Sequence, residues 1–265
     1  MKILITGSEG YIGQHLVKKL KIVDTLDITG TPTYKIDIRN YFNIDEEYDA
    51  VIHLAAKVQV GESVKNPHLY YDTNINGTVN VLKNIRTKNF IFASTGAVEY
   101  MNCPYAISKK ACEEIIQQHC STNNIPYTIF RFYNVIGSDG IEPTNPDGLF
   151  YALIKAIDTK QFNIYGNDYN TPDGTCIRDY VHVNEICDAI IKAIDLPANR
   201  IESLGHGKGN SVLTIVNKFK EVNNTDFNIN FVERRSGDIE VSVLKETSSY
   251  LNNTYTLESL LKYER

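Results

Sequence analysis

Short apolar runs alternate with amphipathic stretches through the first half of the chain. Lys2-Ile3-Leu4-Ile5-Thr6, with its apolar centre Ile3-Leu4-Ile5, reads as a buried strand. Tyr11–Leu20 follows, with Ile12, Leu16, Val17 and Leu20 on one helical face. Residues 22–27, 34–37 and 50–54 read as the next three strands. Pro67 stands where a helix begins, and the stretch to Thr87 carries Val79, Leu82 and Ile85 at helical spacing. Residues 90–93 read as a strand, 105–120 as a helix and 127–132 as a strand. This alternation predicts an α/β chain with a doubly wound parallel sheet. After Gly137 the texture changes: residues 138–148 hold two prolines, two glycines and three Asp or Asn, and so read as loop. A boundary near residue 140 divides 1–140, rejoined by about 176–200, from a smaller α/β region over 141–265.

The turn between the first strand and the first helix is Thr6-Gly7-Ser8-Glu9-Gly10-Tyr11-Ile12-Gly13. Gly7 permits the tight turn, Gly10 admits a pyrophosphate close to the backbone, and Gly13 is expected to let the helix pack on the sheet. The helix N-terminus then offers free N–H groups and a positive dipole end to phosphate. In this strand–turn–helix context the glycines predict a dinucleotide in a Rossmann-type sheet. The next strand ends at Asp27, an acid that would bind an adenosine ribose and repel a 2′-phosphate, which favours NAD over NADP. Asp27 comes only 14 positions after Gly13, against about 20 in the usual fingerprint, so Asp24 is the alternative.

Tyr105-Ala106-Ile107-Ser108-Lys109 places a phenol and an ammonium at i,i+4 on one helix face. A neighbouring cation favours phenolate, so Lys109 is expected to lower the Tyr105 pKa and make the phenol a general acid/base. Composition narrows the setting. The chain of 265 residues is 42% hydrophobic and 22% charged, which suits a folded globular protein. No apolar run approaches the roughly 18 residues of a membrane helix, and Ile3-Leu4-Ile5 is too short for a secretory signal. A net charge of −5 without a basic block argues against nucleic acid. Five cysteines without a C-x-x-C pair read as unbridged thiols in a reducing cytoplasm, and the histidine spacing predicts no metal site.

The chain resembles the extended short-chain dehydrogenase/reductases, and within them the UDP-glucose 4-epimerases. The resemblance rests on TGSEGYIG, DAVIHLAA, VGESVKNPHLYYDTNINGTVNVL, FIFAST, PYAISKKACEE, RFYNVIG, YGNDYNTPDGTCIRDYVHV, LGHGKGNSVL and RRSGD, and runs over nearly the whole chain. It implies NAD as cofactor, a UDP-sugar as substrate, transient hydride transfer at C4 and a homodimer formed through the helical regions 67–87 and 105–120. It implies that Tyr105 is the acid/base, that Lys109 tunes it and holds the nicotinamide ribose, and that Thr95 bridges the tyrosine and a sugar hydroxyl. Tyr11 and Ile12 join Gly7, Gly10, Gly13 and Asp27 at the cofactor. Asp37 and Ile38 would flank adenine, Leu54, Ala55, Ala56 and Asn74 would line the cofactor, and Tyr133 would sit near the nicotinamide. Asn134, Leu149, Tyr165, Arg178, Arg235 and Asp238 would hold the UDP-sugar.

The chain departs from that pattern at several positions. The segment from Thr95 to Tyr105 is short. Val58 stands where the family has a lysine near the cofactor phosphates, with Lys57 beside it, and Gly148 stands where it has an asparagine. Four positions after Asp238, the small Ser242 occupies a gate position where a bulky tyrosine would restrict the pocket to plain hexoses. Ser242 therefore predicts that the N-acetylated sugar nucleotide is also accepted. A nucleotide-sugar 4,6-dehydratase would carry an Asp-Glu pair after Thr95, where this chain has Gly96-Ala97. An NADPH-dependent reductase would carry a basic residue near Asp27. A non-catalytic NAD-binding protein on this fold is the alternative from another class.

Overall fold

The computed structural model describes every residue except Ser236, Asn253, Glu264 and Arg265. The chain forms two units, Met1–Phe132 with Cys187–Ser203, and Tyr133–Ile186 with Leu204–Arg265. The crossover thus falls at residue 132, where the last central strand ends, rather than in the Pro/Gly-rich loop at 138–148.

The first unit is built on a seven-stranded sheet. Its order is Arg200–Leu204, Tyr127–Phe132, Phe90–Thr95, Ala50–His53, Ile3–Thr6, Asp24–Asp27 and Tyr34–Lys35. All five pairings among the last six of these strands are parallel. Ile3–Thr6 lies between Ala50–His53 and Asp24–Asp27, so the chain winds outward in both directions from it and the switch point is at its carboxyl end. Leu4, Leu26, Val51, Phe90, Phe92 and Ile129 of the sheet share a core with Val81, Cys112 and Ile116 of two helices.

Several boundaries differ from the pattern reading. The second strand begins at Asp24, because Lys21 leaves the first helix at φ 64° and Ile22 is 88% exposed. The third stops at Lys35, before Asp37 turns back to bind Arg39. The helix expected from Pro67 to Thr87 is three pieces: Pro67–Tyr70, a wider π-helical segment Tyr71–Asn76, and Gly77–Asn84. Arg86–Thr87 is already a strand, paired with Glu47–Tyr48. The wide turn coincides with tertiary demands on Asn74. Its side chain binds the backbone of Lys57, and its carbonyl accepts the Cys112 thiol at 3.1 Å.

In the second unit, Ile177–His182 pairs with Asn134–Ile136, Gly209–Ser211 and Val241–Ser242. A separate parallel pair joins Gln161–Tyr165 to Asn228–Val232. Phe150, Leu153, Phe162, Ile164, Ile215, Phe219 and Leu260 form this unit's core, drawn from the helices Leu149–Thr159, Val212–Val222 and Leu257–Leu261 and from the paired strands.

Candidate functional site

At the switch point, Gly7 has φ +74°, and a β-carbon there would stand 2.6 Å from Ala55 N. Only glycine fits, since both the backbone angle and the neighbouring chain exclude a side chain. Gly13 needs its bare α-carbon for a different reason from the one expected. A β-carbon would lie 2.3 Å from Gly7 O and 2.8 Å from Ser8 Cα, so the helix packs on the glycine turn itself rather than on the sheet. Gly10 caps the helix Tyr11–Leu20 with no side-chain hydrogen bond, leaving the first-turn N–H groups directed out of the helix. That is the donor set a pyrophosphate requires, and the turn fits the group.

Asp27 ends the second strand beside this turn. Its carboxylate accepts from Glu9 N–H at 3.0 Å and from the N–H and hydroxyl of Thr29, each at 3.0 Å. Asp24 is about 10 Å back along the strand. There it accepts from Tyr48 and sits 3.9 Å from the Lys2 ammonium, at the opposite end from the glycines. The structure thus distinguishes the two acids by position.

Leu54 N–H donates to Thr6 O, and Ala55 N–H to Thr6 Oγ1, holding 54–56 along the end of the first strand. Asn74 is buried, with its oxygen accepting from Lys57 N–H and its two N–H directions taken by Lys57 O and Ser108 Oγ. It positions the loop at Lys57 against the helix that carries Ser108. The Ile38 side chain is 5% exposed, in the core under Gly77. Asp37 is gripped by Arg39, whose hydrogen bonds overcome burial and hold the carboxyl below its ordinary range. Lys57 pairs with Glu62 at 3.4 Å. In the first helix, burial pushes the Tyr11 phenol upward, and Ile12 is half-buried.

Thr95 ends the strand Phe90–Thr95, and Tyr105 and Lys109 lie in the first two turns of Pro104–Asn123. The Thr95 and Tyr105 side chains are hydrogen-bonded. Burial pushes the phenol up to about 12 against that bond, so the expected lowering by Lys109 is corrected. The Lys109 ammonium donates to Ala93 O at 2.8 Å and lies 4.6 Å from the centre of the Phe92 ring, and burial lowers it to about 8.

The pattern reading missed what lies beneath this pair. Glu113, one turn after Lys109, is fully buried. It accepts from Ser94 Oγ at 2.6 Å and from Arg131 at 2.9 and 2.7 Å. Its i,i+4 spacing from Lys109 was the available signal. His53 was missed too: it bridges Thr6 and Thr78 at 2.7 and 2.9 Å, and burial lowers it to about 3, so it is neutral.

In the second unit, Arg178 and Ser242 are register partners on adjacent parallel strands. One Arg178 nitrogen donates to Ile177 O at 3.0 Å. Arg235 pairs with Asp238 at 2.9 Å, and its guanidinium lies 4.7 Å from the centre of the Tyr165 ring. It also donates to Asp147 O at 3.4 Å, next to Gly148, which caps the helix that Leu149 begins. Asn134 donates to Asp179 O, and Tyr133 is buried at the start of the unit. Asp179 is a further missed residue, a buried carboxylate accepting from the N–H groups of His206, Gly207 and Leu244. All five cysteines are buried and unbridged. Among the described residues no group of three or more His, Cys, Asp or Glu is arranged to hold a metal, and no helix is long and apolar enough to cross a membrane.

A glycine turn at the switch point of a doubly wound sheet, with Thr, Tyr and Lys on the following strand and helix, defines a Rossmann-type nucleotide-dependent enzyme of the short-chain dehydrogenase/reductase pattern. More narrowly, the chain belongs to the NAD dependent epimerase/dehydratase family, whose model matches residues 3–204. It is 31% identical to the UDP-glucose 4-epimerase of Rhizobium meliloti, over 89% of this chain and 86% of that protein. It is 32% identical to the Haemophilus influenzae enzyme of the same name, over 90% and 88%. The crystal structure of the Bifidobacterium longum UDP-glucose 4-epimerase in complex with NAD+ and UDP superposes with a TM-score of 0.84 at 26% identity, over 98% of this chain and 96% of that one.

Proposed function

We propose that this protein interconverts UDP-hexoses by NAD-dependent epimerisation at C4. The observation that carries this reading is the Thr95–Tyr105 hydrogen bond, one helical turn before Lys109, on a chain whose relatives over nearly its full length are UDP-glucose 4-epimerases. The first unit holds NAD on the Gly7–Gly13 turn, with Asp27 at the adenosine ribose. Bound NAD supplies the site that takes hydride from C4 and gives it back. Tyr105 removes the O4 proton and later returns it, Thr95 orients phenol and sugar hydroxyl, and Lys109 holds the nicotinamide ribose. Arg178 and Arg235 of the second unit hold the diphosphate through planar guanidinium forks, with Asn134, Leu149, Tyr165 and Asp238 as further substrate contacts. The enzyme acts as a homodimer in the cytoplasm, paired through the helical regions 67–87 and 105–120; the exposed Ile107 on the second of these supports the pairing, and light scattering tests it. Incubating the protein with UDP-galactose tests the activity. UDP-glucose as product supports it, and a dehydrated keto sugar or no product refutes it.

Asp27→Ala weakens NAD binding about tenfold or more and narrows the preference over NADP, because a charge-assisted acceptor for the ribose is lost. Calorimetry with both cofactors checks this. Ser242 is half-buried beside Arg178, where a larger side chain would compete with the sugar. The enzyme therefore also epimerises UDP-N-acetylglucosamine, and Ser242→Tyr suppresses that reaction about 10- to 100-fold more than the UDP-glucose reaction. A related chain of 27% identity is described as the UDP-Glc/GlcNAc 4-epimerase of Campylobacter jejuni. Paired kcat/KM values on the two sugars decide the point.

A further inference from the structure

The glycine turn carries an acid, Glu9, to which the proposed reaction gives no task. Its main-chain N–H donates to Asp27 Oδ2 at 3.0 Å, tying the turn to the end of the second strand. Its side chain crosses to the turn that follows that strand. A β-carbon built on Gly30 would fall 2.3 Å from Glu9 Cδ, and 2.5 and 2.7 Å from the two carboxylate oxygens. The carboxylate thus rests on the bare α-carbon of Gly30, a residue whose φ of +62° also favours glycine. The end of this strand thus carries the Asp27 carboxylate, and the turn after it carries the Glu9 carboxylate on Gly30. Among the described residues no ion pair neutralises Glu9. The nearby cation Lys35, at the end of the third strand, donates to Gly30 O at 3.4 Å.

We propose that Glu9 is a second specificity-determining acid of the cofactor site, acting with Asp27 to exclude a dinucleotide that carries a phosphate on its adenosine ribose. The inference rests on the reading of this site as an NAD site. Asp27 accepts the ribose hydroxyls, and its replacement therefore affects NAD as well as NADP. Glu9 takes no ribose bond and acts by charge, so its replacement affects only the phosphorylated cofactor. Its carboxylate repels the dianionic phosphate and opposes the attraction of Lys35 for the same group. At a half-exposed position, charge repulsion across several ångström amounts to about a 5- to 10-fold change in affinity.

Calorimetric binding of NAD and of NADP to the purified protein tests this without reference to turnover. Glu9→Gln keeps the side-chain shape and removes the charge. It should tighten NADP about 5- to 10-fold and leave NAD within about twofold, and the gain should shrink as salt screens the phosphate. Glu9→Asp, which keeps the charge, should hold the wild-type ratio. An unchanged ratio in Glu9→Gln, or equal loss of both cofactors, would overturn the proposal by showing that Glu9 only shapes the turn. A wild-type protein that binds no NAD would overturn the cofactor reading and this inference together.

Discussion

Replacing Tyr105 with phenylalanine lowers turnover of the sugar nucleotide by about 10²–10⁴ while NAD binding stays at the wild-type level. The magnitude is that of losing a positioned general acid/base. The structure indicates why a phenol here needs help from its surroundings. Burial, with a smaller push from Cys103, holds it near 12, and only the Thr95 hydrogen bond pulls the other way. Lys109 is drawn down to about 8 by its own burial, so its ammonium persists at neutral pH but is lost soon above it. In the proposed reaction the pair required is phenolate with ammonium. Its population rises with pH while Lys109 stays charged and levels off above about 8, where each proton lost from the lysine cancels the gain in phenolate. The wild-type pH profile of kcat/KM therefore climbs and then flattens, and Tyr105→Phe removes the climb. Turnover within a few-fold of wild type in the phenylalanine variant would rule out Tyr105 as the acid/base.

The parts of this molecule that patterning reveals are those whose physics is local. Ile3–Thr6, Ala50–His53 and Phe90–Thr95 are parallel strands, and their near-continuous apolar runs announce themselves. The glycine turn is equally legible, because Gly7 needs a positive φ and Gly13 lies against the backbone of Gly7 and Ser8, although the approach of Ala55 to Gly7 is a long-range contact. The break in the helix after Pro67 is not legible. Its winding goes with Asn74 contacts to Lys57 and Cys112, residues distant in the chain. The Tyr–Lys spacing predicted one helix face correctly, but it could not show that Lys109 would turn to Ala93 O or that burial would dominate the phenol. In the second unit, Arg235 and Asp238 come from resemblance alone. That Arg178 and Ser242 face each other across two strands is a matter of register, which no local signal encodes. Glu113 and Asp179 look in the sequence like solvated acids, and only the fold shows them buried.

Glu113→Ala lowers the unfolding free energy by about 3–5 kcal/mol, the range for removing one member of a buried ion pair and leaving the other uncompensated. Arg131, at 20% side-chain exposure, is the partner left behind, and Ser94 loses its acceptor. Burial acts to raise the Glu113 carboxyl, but the hydrogen bonds from Arg131 and Ser94 outweigh it and hold the group below its ordinary value of 4.5. A carboxyl depressed in the folded state contributes its full stability above the unfolded value and loses it as pH falls through the folded one. The wild type therefore loses stability in acid more steeply than Glu113→Ala does. A double replacement, Glu113→Leu with Arg131→Met, recovers most of the loss, because no charge is then stranded in the interior. Urea denaturation of the three proteins at neutral and acidic pH measures both effects. An unchanged midpoint in Glu113→Ala at neutral pH would show that the pair contributes nothing to the fold. A stable double variant with weakened turnover would separate the second consequence of this cluster, the placement of Thr95 and Lys109, from its contribution to stability. Ser94 adjoins Thr95 and Glu113 lies one turn beyond Lys109, so this buried carboxylate ties the end of that strand to the helix that carries Tyr105 and Lys109.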